Sequence, residues 1–551
     1  MLCDRCNADD LQSILRSPKR PLENAARLPF ADFILWFPLE EDSNSLTCEL
    51  CTILQHAARR IPEEDMKKHS NEFALYATPI GQLIAENIIG PASSRVEWHG
   101  KGEDALVVAP GLKLGPRLFY HNTIDWDSII VETSSLGLHR VQKLVDESKI
   151  DYELLKRWHT RCSEKHTICQ PEDTKAILIA GLKVIDCSAN LVVTAPANVA
   201  YVALSYVWGR EEAASSERAQ LPPNIPLVIK DAITVTMKLG IRYLWVDRYC
   251  IVQNDSAHKM NQINQMDKIY SNAALTIVAS GAPDPSYGLP GVSTRLRTPD
   301  ILTRVQGLDL SFLREGQESI ENSTWNTRAW TLQEAYLSRR ILYFGSEEVS
   351  FVCREVLCSE SLDMEFILNQ GSSKPERSAA VPWRWSRGSN ASITELITRY
   401  SRRELSKQED ALDALAGIFK NWKEAGRYRS MYWGIPIHSA AGSKPVHFFA
   451  SGLFWYSLRD DDLEADSHIR RNGFPSWSWL SVLGRVEYMM STRIPWGSPD
   501  VSGWDVSVQA DDGQMLDLET FIASGGCDLP ATDWCRRIQV QCFAFPLPIS
   551  L

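Results

Sequence analysis

The residues best placed to do chemistry stand at the ends of short apolar runs in the middle of the chain. These residues are Ser205, Trp208, Gly209, Asp247 and Ser280. The runs are too short for a solitary buried helix and are rich in Val, Ile, Leu, Tyr and Trp, as buried strands are. They occupy residues 202–207, 243–246, 274–279 and 340–344. We therefore expect hydroxyl, carboxylate and indole groups to follow the strands of one sheet.

Helical spacing between the runs indicates how such a sheet is connected. Ile263, Met266, Ile269 and Tyr270 recur at helical intervals, and so in part do the apolar residues of 330–336. Strands that alternate with helices predict an α/β fold with a parallel sheet and crossover helices. In open sheets of this class, ligands bind outside the carboxyl ends of the strands. The polar residues at those ends are therefore the first candidates for a site.

Composition narrows the class of protein. A chain of 551 residues is too long for one compact core, so two to four structural units are expected. The net charge of -11 and the pI near 5.6 argue against a nucleic-acid partner. No apolar run approaches the ~20 residues of a membrane span, and no signal segment is evident at the start. We expect a cytoplasmic protein whose 13 cysteines are thiols or metal ligands.

Two cysteine pairs near the start of the chain suggest a structural zinc site. Cys3 and Cys6 form one CxxC motif, and Cys48 and Cys51 form another. The four thiolates can share one tetrahedral zinc ion, although the 41 residues between the pairs exceed the spacing of usual zinc ribbons. The alternative is four unrelated cysteines, with Cys48 and Cys51 packing on a helix face as small hydrophobes.

A second group of metal-ligand types follows at Cys162, His166 and Cys169. Spacings of four and three put these residues on one helical face, as metal ligands can be. They supply three ligands, one short of a structural zinc site. We therefore favour a helix end packed by cysteine and Trp158 side chains.

The chain is expected to divide into three parts. Residues 1–165 form an N-terminal α/β region that contains the cysteine pairs, residues 195–350 form the central sheet, and residues 351–551 form a C-terminal helical and β region. A loop rich in Gly and Pro at residues 281–324 interrupts the central part. Long loops inside domains are often functional lids.

Four sequence blocks in the central part carry a family resemblance. They read Tyr-x-Ala-Leu-Ser-Tyr-x-Trp-Gly, Tyr-Leu-Trp-x-Asp-x-x-Cys-Ile-x-Gln-x-Asp, Met-x-x-Ile-Tyr-x-x-Ala, and Arg-x-Trp-Thr-x-Gln-Glu. In this chain they lie at residues 201–209, 243–255, 266–273 and 328–334. In this order the blocks resemble the fungal heterokaryon incompatibility (HET) domain. The family often has Gly where Ala329 stands, and acidic and Trp residues where Ala257, His258 and Gln262 stand.

The resemblance implies a role in self/non-self recognition and regulated cell death when different hyphae fuse. The domain is also distantly similar to TIR domains, which implies a flavodoxin-like parallel sheet with flanking α+β regions. Some TIR domains cleave NAD with a single Glu. On that analogy Glu334 is the catalytic carboxylate and NAD is the substrate.

The site residues each carry two interpretations. Glu334 is either catalytic or a helix-surface carboxylate paired with Arg339 or Arg340. Asp247 is either a second acid of the site or the N-cap of the next segment. Gln253 belongs to the site or to a polar turn. The thiol of Cys250, flanked by apolar residues, is expected to be buried and inert.

The remaining candidates would bind a ligand. Trp208 or Trp330 can stack on a base or nicotinamide ring, and Arg328 can neutralise a phosphate. Ser205, Gly209 and Gln333 complete the predicted ligand-binding set.

Two further functions compete with catalysis. One is a non-enzymatic signalling module that self-associates or binds protein partners, which the altered region near Gln262 favours. The other is a small-molecule-binding protein or enzyme of a secondary-metabolite pathway. No Gly-x-Gly-x-x-Gly follows a strand and no P-loop is present, so a Rossmann dehydrogenase is not indicated.

Overall fold

A computed structural model describes the chain in segments. These are residues 33–38, 48–52, 72–79, 104–110, 129–132, 144–170, 179–209, 220–300, 302–306, 308–312, 316–361, 393–426, 428–437, 445–457, 470–488, 504–510, 513–525 and 537–541. In these segments no helix has both the length and the hydropathy that crossing a bilayer requires.

The strands and helices are numbered in chain order. The strands are β1 Phe33–Pro38, β2 Glu72–Pro79, β3 Asp104–Pro110, β4 Ile129–Glu132, β5 Lys183–Asp186, β6 Leu191–Thr194, β7 Tyr201–Ser205, β8 Tyr243–Trp245, β9 Leu275–Val278, β10 Thr303–Val305, β11 Leu308–Phe312, β12 Arg340–Phe344, β13 Val349–Cys353, β14 Leu357–Ser359, β15 Ser430–Tyr432, β16 Ile435–Ile437, β17 Trp455–Ser457, β18 Val486–Tyr488, β19 Asp505–Gln509, β20 Met515–Asp517 and β21 Ile538–Gln541. The α-helices are α1 Tyr152–Lys165, α2 Leu227–Lys238, α3 Asp247–Cys250, α4 Ser256–Ile263, α5 Met266–Asn272, α6 Gly316–Glu321, α7 Thr324–Thr327, α8 Ala329–Leu337, α9 Ile393–Ser401, α10 Asp413–Glu424, α11 Pro445–Ser451 and α12 Leu518–Ala523.

An eight-stranded sheet forms the centre of the fold, in the order β14-β13-β12-β9-β7-β8-β5-β6. The pairs β8–β7, β7–β9 and β9–β12 are parallel. Counted along the chain, these four strands have the order 2-1-3-4, which flavodoxin-like sheets share. The predicted α/β class is confirmed, and the four apolar runs are β7, β8, β9 and β12.

The two edges of this sheet are antiparallel, which the sequence pattern did not predict. The pairs β5–β8 and β5–β6 extend one edge, and β12–β13 and β13–β14 extend the other. Short turns connect β5 to β6 and β12 to β13, so these hairpins need no crossover helix. An alternation of strands and helices therefore cannot reveal them. The strand β13 is not at the edge of the sheet, because β14 pairs with it.

A six-stranded antiparallel sheet combines distant parts of the chain, in the order β1-β2-β3-β4-β11-β10. Its last two strands come from the 281–324 segment, which was expected to be a lid loop. The hairpin of β10 and β11 pairs instead with β4, for example Leu310 with Glu132. The N-terminal sheet is therefore completed by residues that follow the central block in sequence.

Helix α8 lies between two hydrophobic cores and is buried on nearly every side. Ala329 and Leu332 belong to a core with α9, α10 and the C-terminal strands, whereas Leu337 belongs to the core of the central sheet. Ala335 belongs to a third, smaller cluster that includes Tyr343 and Trp325. As a result the polar residues of this helix, Gln333 and Glu334, are buried as well.

Candidate functional site: a pair of acids at the strand ends

Ser205 and Glu334 meet beneath the carboxyl end of β7. The Ser205 hydroxyl donates a hydrogen bond to Oε2 of Glu334. The indole Nε1 of Trp325 donates to Oγ of Ser205 at 2.7 Å. Because an indole N–H can only donate, it occupies an acceptor position of the hydroxyl and leaves the hydroxyl proton for Glu334. Ser205 is 1% exposed and Glu334 7%, so this chain of bonds is enclosed.

Asp247 lies two residues after the end of β8, near the carboxyl end of that strand as predicted, and accepts hydrogen bonds from two donors. Trp208 Nε1 donates to its Oδ2 at 2.7 Å, and the backbone N–H of Arg248 donates to Oδ1 at 2.7 Å. Gln253 Nε2 donates to its backbone oxygen at 3.2 Å. The N-cap of α3 is Val246, and Asp247 is the first helical residue, so the N-cap interpretation was wrong.

The environment of the site raises the pKa of both acids. Burial raises the pKa of Asp247 to about 7, and the nearby Glu334 charge adds to the rise. Burial also raises the pKa of Glu334, while Ser205 and Arg328 oppose that rise. A carboxyl group with a pKa near 7 is protonated in part of the molecules at neutral pH. The site can therefore hold or release a proton close to neutral pH.

Arg328 provides positive charge beside the acid pair. Its Nη1 donates to the backbone oxygen of Tyr206 at 2.8 Å. Its positive charge opposes the rise in the pKa of both Asp247 and Glu334. The residue is also the N-cap of α8, so the backbone that begins this helix positions the guanidinium.

The alternative interpretation of Glu334 as a helix-surface carboxylate was wrong, because α8 is packed on both sides. Arg339 and Arg340, its proposed partners, donate hydrogen bonds to other groups. Arg339 Nη2 donates weakly to Asn272 O at 3.5 Å, and Arg340 Nε donates to Cys162 Sγ at 3.1 Å. The carboxylate of Glu334, in the Gln-Glu motif, therefore faces the central sheet, where Ser205 contacts it.

Three of the predicted ligand-binding residues have structural contacts outside the acid pair. Gln333 Oε1 accepts a hydrogen bond from the backbone N–H of Gly417 at 2.7 Å, which joins α8 to α10. Trp330 packs between the two hydrophobic cores. Gly209 lies so close to Pro285 that an added Cβ would come within 2.9 Å of the proline ring. Their ligand-binding roles remain predictions.

Tyr270 and Trp325 contribute to the site but were not among the candidates. Tyr270 is fully buried against Trp245, with ring centroids 5.5 Å apart, and its hydroxyl contacts the Glu334 carboxyl group. Burial and the charges of Glu334 and Asp247 raise the pKa of Tyr270. Its place in the third sequence block was the available signal. Trp325 lies just before the fourth block, and only the fold brings it to Ser205.

A separate cluster of metal-ligand atoms lies in another part of the central unit. The ligand atoms of Cys162, His166, Cys169 and Cys353 all lie within 4.8 Å of one another and can hold a metal ion. The packed helix end that we favoured for the first three residues did not include Cys353. Hydrogen bonds to Cys162 and Cys169 raise the pKa of His166 to about 9.

The metal site predicted at the N-terminal cysteine pairs is not tested. Cys3 and Cys6 lie outside the described residues. Cys48 and Cys51 are buried at the start of a short helical segment, where Cys51 N donates to Cys48 Sγ at 3.5 Å. Zinc binding by these four residues remains a prediction.

Cys250 agrees with its predicted role. Its thiol is fully buried, and burial raises its pKa to about 12. A thiol with such a pKa is protonated at neutral pH and is a poor nucleophile.

Comparison with known proteins agrees with the sequence blocks. Residues 201–334 match the family described as Heterokaryon incompatibility protein (HET). The match begins at Tyr201 and ends at Glu334, which are the first residue of the first block and the last residue of the fourth. The family resemblance is thereby confirmed. No curated protein and no solved structure matched the chain.

Proposed function

We propose that this chain, which carries a heterokaryon incompatibility domain at residues 201–334, acts in self/non-self recognition and triggers regulated cell death. The observation that carries the proposal is the pair of acids at the strand ends, the buried Glu334 and the half-buried Asp247. Three of the four family blocks supply its contacts directly, through Ser205, Asp247 and Glu334.

The energetics of the acid pair support a functional role. Burying carboxyl groups costs free energy, and two of them together cost more, unless each has compensating partners. A stable fold could fill this space with apolar side chains. Perturbed acids at the carboxyl ends of parallel strands are typical of functional sites. The pair is therefore the part of the domain on which activity should depend.

Cell death is tested by inducible expression of the full chain in a filamentous fungus, with vital-dye uptake as the readout. Wild type should kill, and Glu334→Gln should kill far less at equal protein level. Glu348→Gln is the matched control, because Glu348 is also a buried glutamate that accepts a serine hydroxyl, that of Ser359. Equal killing by wild type and Glu334→Gln would remove the acid pair from the mechanism.

NAD cleavage is a second candidate function, and the strand order favours it. The 2-1-3-4 order puts Ser205 next to the point where the order reverses, which is where ligands of flavodoxin-like sheets bind. In this reaction water adds to C1′ of the nicotinamide ribose and the C–N bond breaks. The bonding electron pair leaves with nicotinamide, and the other products are ADP-ribose and a proton.

The residues of the site have assignable roles in this hydrolysis. The Glu334 carboxylate would stabilise the positive charge that develops on the ribose, as carboxylates do in glycoside cleavage. Asp247, with its pKa of about 7, would accept the proton of the attacking water. Arg328 would face the diphosphate. Because Glu334 is 7% exposed, the segment around it must open to admit the ribose.

NAD consumption by the purified full chain separates the two functions. Turnover by wild type and Glu348→Gln, with loss in Glu334→Gln, supports hydrolysis. Death in the fungal assay without NAD loss, in cells or with purified protein at high concentration, supports signalling through self-association or protein partners. Both readouts use the same three proteins, so the two proposals can fail independently.

A further inference from the structure

A four-residue cluster joins helix α1 to the hairpin of β13 and β14. Cys162 lies on α1, and His166 and Cys169 lie at its end and on the 3-10 turn Thr167–Cys169 that follows. Cys353 is the last residue of β13, 187 residues after His166. Nδ1 of His166 and Sγ of Cys353 are 3.3 Å apart.

The separations fit tetrahedral coordination. With zinc–sulfur bonds of about 2.3 Å and zinc–nitrogen bonds of about 2.0 Å, ligand atoms on a tetrahedron lie roughly 3.5–3.8 Å apart. The four ligand atoms all lie within 4.8 Å of one another, so small side-chain shifts complete that geometry. Three sulfurs and one imidazole nitrogen are a ligand set that structural zinc sites use.

The surroundings of the cluster suit negatively charged sulfur. Arg340 Nε donates to Cys162 Sγ at 3.1 Å. The backbone N–H groups of Glu355 and Val356 donate to Cys353 Sγ, each at 3.4 Å. Hydrogen bonds of this kind orient metal-bound thiolates and stabilise their charge. Three thiolates with one Zn²⁺ carry a net charge of -1, which the neighbouring arginine offsets.

We propose that Cys162, His166, Cys169 and Cys353 bind one zinc ion, and that this ion has a structural role. The site is closed, since the three cysteines are at most 4% exposed and four protein ligands leave no position for water or substrate. The ion would link α1 to β13, near the β14 edge of the central sheet. Zinc, which has no redox chemistry, fits this tetrahedral N/S set better than a metal that prefers oxygen ligands.

The location of the cluster separates it from the acid pair. Cys353 pairs with Arg340, the first residue of β12, so the cluster lies beside the amino end of that strand. Ser205 and Asp247 lie at the carboxyl ends of the parallel strands. The ion would therefore stabilise the domain without entering the chemistry at Glu334.

Metal analysis of the purified full chain tests the proposal. Zinc is measured by mass spectrometry in wild type, Cys353→Ser and the matched control Cys358→Ser, whose buried cysteine lies on the same hairpin. We expect Cys353→Ser to hold one equivalent less zinc than wild type and Cys358→Ser to hold the same amount. The difference isolates this site from any zinc at the N-terminal cysteine pairs.

A second variant keeps the test decisive if Cys353→Ser fails to fold. His166→Cys retains four ligands and should bind as much metal as wild type. After cobalt substitution it should show tetrahedral thiolate–cobalt absorption that is shifted from the wild-type spectrum. A wild-type protein without zinc, an iron–sulfur spectrum, or a His166→Cys cobalt spectrum identical to that of wild type would overturn the proposal.

Discussion

The hydroxyl of Ser205 donates to the carboxyl group of Glu334 across 129 residues of sequence. Trp325 fixes the direction of this bond by donating its indole N–H to the same hydroxyl oxygen. The serine thereby joins the end of β7 to the middle of α8. Because the site is buried, a donor or acceptor that loses its partner has no water to bond with instead. Substitutions at these residues should therefore be costly in stability.

Replacing Ser205 by Ala should therefore destabilise the domain by about 1–3 kcal/mol, the range for leaving buried polar groups unsatisfied. The variant removes the donor to Glu334 and the acceptor of Trp325 together. Urea denaturation of purified protein measures the loss. Ser280→Ala is the matched control, because Ser280 is buried after a neighbouring strand and makes one bond, to Phe344 O at 3.2 Å. Equal losses in the two variants would contradict a special role for the Ser205 contacts.

The sequence predicted where this site lies better than it predicted which residues surround Glu334. Ser205 lies near the end of one apolar run and Asp247 follows another. The carboxyl ends of parallel strands meet at one edge of a sheet, so the proximity of the two residues could be inferred. Periodicity could not show that α8 is covered on both faces, which is why a surface position for Glu334 remained open. The C-terminal residues that cover this helix are more than 50 positions away in sequence.

Contacts between distant segments likewise could not be predicted from local sequence patterns. The spacing of Cys162, His166 and Cys169 accounted for three ligands of a metal site, and nothing local pointed to Cys353. The strand β11 has alternating apolar residues, Leu308, Leu310 and Phe312, but its pairing with β4 depends on tertiary structure. Periodicity detects elements within a window of the chain, whereas these features are pairings between windows.

Asp247 should make the stability of the domain depend on pH. Its pKa is about 7 in the folded protein, against an ordinary value of 3.8. Between these values the folded protein retains a proton that the unfolded chain releases. The free energy of unfolding should therefore fall as pH rises from about 4 to about 7, and this contribution should be constant outside the window.

Asp247→Asn tests this dependence by urea denaturation at a series of pH values. The difference in unfolding free energy between variant and wild type should shift in favour of the variant as pH rises through the window. Trp208→Phe is the complementary change. It removes a hydrogen bond that lowers the pKa of Asp247, so the fall in stability should extend to higher pH. Parallel pH curves for wild type and Asp247→Asn would contradict the assignment.

The buried ion pair of Arg297 and Glu360 should be costly to break from one side. Arg297 Nη1 and Glu360 Oε2 are 2.6 Å apart, and the two side chains are 1% and 6% exposed. Arg297→Met leaves a buried carboxylate without its cation, which typically costs about 3–5 kcal/mol. Replacing both residues by Met should cost less than the single change, because no uncompensated charge remains.

The control for this pair is an ion pair in solvent. Lys156 and Glu153 are 2.7 Å apart with side chains 41% and 72% exposed. Lys156→Met should change the free energy of unfolding by less than about 1 kcal/mol. If Arg297→Met were as mild as Lys156→Met in urea denaturation, the buried pair would not have the importance assigned to it.

Gly417 determines how closely α8 and α10 approach, and its replacement by Ala should reverse the usual effect of that substitution. In an exposed helix interior, Gly→Ala typically stabilises by about 1 kcal/mol. Here an added Cβ would come within 2.8 Å of Gln333 Oε1 and 2.9 Å of the Asp267 Cβ. Overpacking of this kind costs about 1–3 kcal/mol, so Gly417→Ala should lower the free energy of unfolding.

A double substitution distinguishes this clash from a general fault in the helix. Gln333→Ala removes the side chain nearest to the new methyl group, together with its hydrogen bond from Gly417 N. The double variant should therefore lose less stability than the sum of the two single losses, as neighbouring sites in contact do. Thermal unfolding of the four proteins measures the coupling. Additive losses, or a stabilising Gly417→Ala, would mean that the helices separate easily and that α8 is not held by this contact.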